Sequence, residues 1–433
     1  MVVTGRLVLV VLLGVVPIIA VPAGLAGPVL LGWVVLCLLL SALDLLLAGS
    51  PQRVRLGREL PDALRLGETA TSRLTVRNEG RRRLRGTVRD AWQPSAGAVV
   101  TRFRVSIAPG RQTVVQTALT PFRRGERRAS AVTVRSLGPL GLAGRQKTLP
   151  AAGSVLVLPR FASRRHLPSR LARLRELDGR TSLMIRGQGT EFDSLRDYVR
   201  GDDVRSIDWR ATARRQDLMV RTWRPERDRR VVIVVDSGRT SAARVGDEPR
   251  LDTAFEASLL LGALASRAGD RVDLAVIDRR VRGRVQGQTG AALLNALVTT
   301  LAPIEPELLE TDWSAVPALV RSITTQRSLV VLCTTVTSPG ASQSLLAALP
   351  QLTSRHLVSV ASVLDPVLGD LVDDRGTTDD VYRAAAASRA LLDVSRVSAA
   401  LRQLGADVVT GTPAELPPAL ADRYLALKAA GRL

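Results

Sequence analysis

Two stretches hold the side chains whose types and spacing could do chemistry. The first is "DSGRT", which follows the apolar run "VVIVVD" and places Asp236, Gly238 and Thr240 at positions one, three and five of a loop. That spacing can aim oxygen atoms at one hard cation, and Mg²⁺ takes an octahedral oxygen shell. Later loops offer Thr311 in "LLETDWS" and Thr335 in "LCTTVTSPG", the latter where a second carboxylate would be wanted. Gly238 has no hydroxyl. The expectation is a degenerate cation loop of Asp236, Thr240 and Thr311, a weak Mg²⁺ site at most, with no other cofactor. Asp236→Ala is then expected to leave the fold intact.

The second stretch is "EFDSLRDYVRGDDVRSIDWRATARRQD", residues 191–217. It carries seven acids and six bases inside a chain of net charge +21. Asp202, Asp203 and Asp208 could serve acid–base work, which would make the chain an uncharacterised hydrolase. Each has an arginine within three positions, and a neighbouring cation holds a carboxylate ionised and poorly basic. There is no Ser-His-Asp, Cys-His, P-loop or GxGxxG pattern, and the two cysteines, Cys37 and Cys333, lie far apart. The chain therefore reads as non-catalytic, and the charges as structural. Leu195, Tyr198 and Val199 have the spacing of one helical face. Asp193–Arg196 and Asp197–Arg200 are opposite charges three residues apart, which would pair on such a helix. "RGDD" then turns the chain, and Val204, Ile207 and Trp209 are available to pack. The expectation is a compact clasp pinned between the flanking domains by these apolar anchors.

The elements around these stretches fall into four parts. The chain has 433 residues, 46% hydrophobic but only 3% aromatic, so its cores must be built of Leu, Val and Ala. Nearly all its basic residues are arginine, with no zinc-finger spacing, aromatic stacking motif or compact basic run, which argues against nucleic acid as a partner. No charge occurs from Leu7 to Leu43, and a bilayer span takes about 20 apolar residues. "PAGLAGP" interrupts the run, giving two expected spans, 7–21 and 29–47, in residues 1–50. A signal peptide would account for the first run but not for the second. Arg6 before the spans and Arg53, Arg55 and Arg58 after them predict that both ends face the cytoplasm. Asp44 is expected to be a hydrated helix-end residue.

Residues 51–160 alternate apolar and polar between glycine-containing turns, as in "TSRLTVRNEG", and predict an Ig-like β-sandwich. Its turn "PFRRGERR" is expected to be solvated. Residues 161–229 are the charged linker and clasp. From 230 to 433, apolar strands alternate with helical patterns, which predicts a doubly wound α/β sheet with its site outside the carboxyl ends of the strands.

The charged block also carries a resemblance. Gly187, Gly189, Glu191, Phe192, Leu195, Arg196, Tyr198, Gly201, Asp202, Arg205, Ile207, Asp208 and Trp209 resemble the hallmark of the bacterial domain-of-unknown-function-58 family. "TPFRRGERRASAVTVRSLGPLGLAGR" is similar to its upstream signature. The resemblance covers nearly the whole chain and implies a von Willebrand factor A-like, Rossmann-type C-terminal domain. It implies a multi-pass protein of the bacterial cell membrane with cytoplasmic soluble domains. It further implies a scaffold or adaptor partnering a MoxR-type AAA+ ATPase, and other membrane or von Willebrand A proteins, in assembly or maturation of proteins. Gly238 and Thr335 depart from a competent von Willebrand A cation site. A Mg²⁺-dependent protein-binding module is the other function these features allow.

Overall fold

The uncharged N-terminal run folds as helices, because in an apolar segment every backbone polar group must be satisfied within the segment itself. In the computed structural model, which describes residues 1–184, 191–200, 202–224 and 229–433, a two-residue strand β1 (Val2–Val3) precedes α1 (Gly5–Leu13), α2 (Val15–Ile19) and α3 (Ala26–Leu47). Among the described residues, the helix beginning at Ala26 is the one long and apolar enough to cross a membrane. The earlier apolar segment departs from the expected span 7–21. It ends at Ile19 and is interrupted at Gly14. At about 1.5 Å per residue it reaches roughly 22 Å, short of a core about 30 Å thick. It packs along α3, where the Trp33 indole N–H donates to the Val10 carbonyl at 3.2 Å.

The chain forms two compact units, Met1–Leu158 and Pro159–Leu433. The first is completed by β2 (Val54–Glu59), β3 (Ala63–Arg65), β4 (Ala70–Asn78), β5 (Leu84–Trp92), β6 (Arg102–Ile107), β7 (Gln112–Leu119), β8 (Gly125–Leu137) and β9 (Ala143–Leu158). One sheet runs β1-β9-β8-β5-β6, with β3 also on β9; the other runs β2-β4-β7. Period-two burial drives this layering. In β4, Ser72, Leu74, Val76 and Asn78 point inward while Arg73 and Arg77 face solvent. Leu74, Val76, Val88, Val115, Val132 and Val134 build one core cluster.

Two arginine readings change inside this sandwich. Arg58, counted above as an orienting charge beside the spans, is buried and grips Asp90 with two bonds of 3.0 and 2.6 Å. The Trp92 indole donates to the same carboxylate at 2.9 Å. Arg124 and Arg127 of "PFRRGERR" are also buried, and Arg127 bonds Ser95 at 2.8 Å. That turn is folded structure, not a solvated loop.

Asp44 is a further departure. It is fully buried. Its carboxylate accepts the backbone N–H groups of Leu140, Leu142 and Ala143 at 2.8, 2.7 and 2.8 Å. The loop between β8 and β9 thus seats on the end of α3. Gly138 is required there, since a Cβ would collide with the Asp44 carboxylate. Thr4 bonds the same loop from the other end of the helical segment, its N–H reaching the Leu142 carbonyl at 3.1 Å.

The second unit takes in the segment 161–229. It begins with α4 (Leu167–Met184), β10 (Glu191–Asp197), α5 (Trp209–Arg215) and β11 (Met219–Arg224). Then come β12 (Arg230–Asp236), α6 (Arg250–Arg267), β13 (Arg271–Ile277), β14 (Val281–Val285), α7 (Gly290–Leu301), α8 (Val316–Ile323) and β15 (Leu329–Cys333). The chain closes with α9 (Gln343–Thr353), β16 (Leu357–Val363), α10 (Thr378–Gln403), β17 (Asp407–Gly411) and α11 (Leu416–Ala429). The sheet order is β14-β13-β12-β15-β16-β17. All neighbours are parallel except β14 on β13. β12 and β15 are buried along nearly their whole length, as apolar strands covered on both faces must be. β14, "VRGRV", is an arginine-bearing edge strand that the apolar-run criterion passed over. Charged side chains on an edge discourage further pairing.

Candidate functional site

The sheet reverses its strand order between β12 and β15, so the crevice for a ligand lies beyond their carboxyl ends. Asp236 ends β12 there, buried to 1% exposure. Its Oδ1 accepts the Gly238 N–H at 2.8 Å and the Thr311 hydroxyl. Its Oδ2 accepts the hydroxyls of Thr240 at 3.2 Å and Thr334 at 2.7 Å. The structure therefore brings together Asp236, Thr240 and Thr311 as the loop spacing predicted. Thr334 replaces Thr335 as the partner from the β15 loop, while Thr335 lines the adjoining cavity. Both threonines follow the end of β15 and line the cavity, and the Thr334 hydroxyl is the one that reaches Asp236. The cavity, about 300 Å³, is also lined by Arg239, Glu310 and residues at the start of α9.

The two carboxylates lining the cavity, Asp236 and Glu310, are both engaged by protein donors. Both oxygens of Asp236 are occupied by four protein donors. Arg239 lines the same cavity and binds the second nearby carboxylate, Glu310, at 2.8 Å. A serine at 238 would not restore the missing hydroxyl, because a Cβ there would run into Thr311 and the Leu309 carbonyl. Among the described residues no three His, Cys, Asp or Glu side chains converge. Calorimetric titration of the full-length chain with millimolar Mg²⁺ is expected to give no saturable heat. A saturable isotherm would reinstate the cation site.

The charged block opens as a strand of a hairpin, not as a helix, and its helix, α5, comes later. β10 and β11 pair antiparallel, with Leu195 opposite Arg221 and Asp197 opposite Met219. Leu195, Tyr198 and Val199 therefore share no helical face, and the side chain of Asp193, expected to pair with Arg196, lies outside the described residues. Arg196 forks onto Asp202 with bonds of 2.8 and 2.6 Å, and that bond raises the Arg196 pKa. Asp202 also accepts the Val199 N–H at 2.9 Å. Asp208 caps α5 by accepting the Arg210 and Ala211 N–H groups at 3.0 Å each, and it binds Arg221 at 2.8 Å. The Ala211 N–H, then Arg221, hold its carboxyl below the usual range. Asp203 accepts the Arg205 N–H at 3.0 Å. These carboxylates are hinge pins, committed to donors.

Ile207 bridges to Val220, and Met219 and Val220 are buried. Most of the expected anchors are not: Trp209 is 68% exposed, Val204 65% and Val199 62%, with Leu195 also exposed. Gly187, Gly189 and Gly201 lie outside the described residues, as do the side chains of Glu191 and Phe192.

Residues 194–403 match a family model described as protein of unknown function DUF58. Uncharacterized proteins of Mycobacterium bovis and Mycobacterium tuberculosis are each 28% identical over 248 residues, covering 52% of this chain and 76% of the relative. Among solved structures, the CARDB domain of a Pyrococcus furiosus protein is 20% identical, covering 24% of this chain and 86% of that one, at a TM-score of 0.18. A β-glucosidase from Listeria innocua is 17% identical, covering 24% and 16%, at 0.17.

Proposed function

This chain belongs to the protein family of unknown function DUF58, and on that premise we propose that it is a membrane-anchored, non-catalytic scaffold that docks a partner protein through residues 191–224. The carrying observation is the exposed Trp209 on a hairpin latched by the Arg196–Asp202 and Arg221–Asp208 pairs. Buried aromatics at protein interfaces are common binding hot spots, and an exposed one on a fixed element has prepaid much of its ordering entropy. The resemblance of this block to its family makes a MoxR-type AAA+ ATPase the proposed partner. The order of strands and helices in the second unit supports the von Willebrand A-like reading.

The N-terminal segment acts as the anchor in this reading. β1 pairs with the start of β9, and the end of α3 meets the loop just before it, which favours both ends of the helical segment lying on one face of the membrane. Arginines beside those ends support a cytoplasmic side for them in this reading. Asp236 and its threonines tie three loops together rather than hold a ligand cation.

The test is affinity purification of the full-length chain from its own membranes in mild detergent, beside Trp209→Ala and an unrelated two-span control. The wild type is expected to enrich an AAA+ ATPase over the control. Trp209→Ala is expected to lose it while its stability changes by no more than about 0.5 kcal/mol, as for an exposed residue. No ATPase with the wild type, in the presence of nucleotide and Mg²⁺, would reject the partner. Equal recovery with Trp209→Ala would reject the docking element.

A further inference from the structure

Folding gathers arginines that are scattered in sequence onto one pole of the β-sandwich, the pole that meets α3. The loop between β4 and β5 contributes Arg81, Arg82 and Arg83, all exposed. Its Glu79 N–H donates to the Arg53 carbonyl at 2.8 Å. The Arg83 carbonyl lies so near Gly49, two residues past α3, that a Cβ on Gly49 would come within 2.8 Å of it. Arg145 donates to the Leu45 carbonyl at 3.2 Å from the other side. Arg6 and Arg53, both exposed, flank the two ends of the helical segment. The acids at this pole are engaged: Glu79 pairs with Arg55 at 3.3 Å, and Asp44 holds the β8–β9 loop. That loop presents Pro139 and Leu140 to solvent beside the helix end.

Resting on the reading of α3 as a membrane anchor, we propose that this pole is a docking surface for anionic lipid headgroups. Guanidinium groups bind phosphate in a planar, bidentate fashion, and juxtamembrane arginines are drawn to anionic leaflets. Pro139 and Leu140 add an apolar tip at headgroup depth. The Asp44 latch fixes the sandwich against the end of the helix, so the arginines meet the membrane surface together and not one at a time. Arg58, adjacent in sequence, takes no part because Asp90 holds it inside.

The experiment is a lipid competition on the full-length chain in mild detergent. Phosphatidylglycerol and phosphatidylcholine are added in equal amounts, and bound lipid is counted by native mass spectrometry. The wild type is expected to retain phosphatidylglycerol about tenfold over phosphatidylcholine, a conservative figure for several juxtamembrane arginines. The triple variant R81Q/R82Q/R83Q is expected to lose that preference, and R102Q/R104Q, on the exposed face of β6, to keep it. Equal retention of both lipids by the wild type overturns the proposal, as does an unchanged preference in the triple variant. Loss of the preference to inorganic phosphate, but not to chloride of equal ionic strength, overturns it in favour of a soluble phosphate. Release of the chain from its membranes by alkaline carbonate would instead overturn the anchor reading itself.

Discussion

Asp44→Ala is expected to destabilise the first unit by about 3 kcal/mol or more, since a buried donor left unsatisfied costs about 1–3 kcal/mol and three backbone N–H groups lose both oxygens of the carboxylate that accepts them. The sign is diagnostic. A carboxylate in the last turn of a helix opposes the negative end of the helix dipole. A hydrated Asp44 would therefore be neutral or mildly unfavourable, and alanine would be harmless or stabilising. Only a carboxylate that binds Leu140, Leu142 and Ala143 makes alanine costly. Denaturant unfolding of the full chain in detergent should show a lower midpoint. Proteolysis within residues 138–145 should become faster. Asp44→Asn, which keeps one acceptor oxygen, should fall between the two. Equal midpoints for wild type and Asp44→Ala would reject the latch, and with it the rigid placement of the arginine pole.

Asp236→Ala should likewise fail to be silent, against the expectation drawn from its loop spacing. Four donors converge on this carboxylate. Three are hydroxyls that can turn to other acceptors; the Gly238 N–H is fixed. A loss of about 2–4 kcal/mol follows from one orphaned buried N–H plus several bonds to a charge. For a domain of this size that is a fall in melting temperature of about 4–16 °C, at roughly 2–4 °C per kcal/mol. Asp236→Asn should retain most of the stability, because an amide oxygen still accepts and threonine hydroxyls can accept from its NH₂. Calorimetric melting of the three proteins decides it. Identical melting of Asp236→Ala and wild type would show that the loop cluster is structurally idle.

Both results turn on acids whose sequence surroundings misled. Asp44 sits in an apolar helix with no base nearby, so nothing local announced a partner. Asp236 stood in a pattern resembling a cation loop, and that pattern gave no sign that its hydroxyl neighbours donate to its carboxylate. Arg58 looked like one of several charges following a span, yet β2 turns it into the sandwich. The block 191–217 shows the same limit. Its spacing suited helical pairs, but Arg196 lies on a strand and forks onto Asp202. Its apolar residues suited anchors, yet Trp209 faces outward.

By itself the sequence determined most of the elements and their order: an uncharged helical start, a period-two sandwich, then alternating apolar strands and helices. It also located Asp236 at the edge where an α/β sheet places its site, and singled out 191–217 as a folded, self-neutralising block. These are properties of neighbouring residues, because hydrophobic period is set by backbone geometry over a turn or a pleat. The tertiary structure alone decided the partners. Leu140 and Ala143 find Asp44 across 96 and 99 residues, and Thr334, not Thr335, finds Asp236 across 98. A carboxylate bonds whatever donors the packed fold brings within about 3 Å, and which of two adjacent loop residues comes that close is set by tertiary packing, not by local pattern.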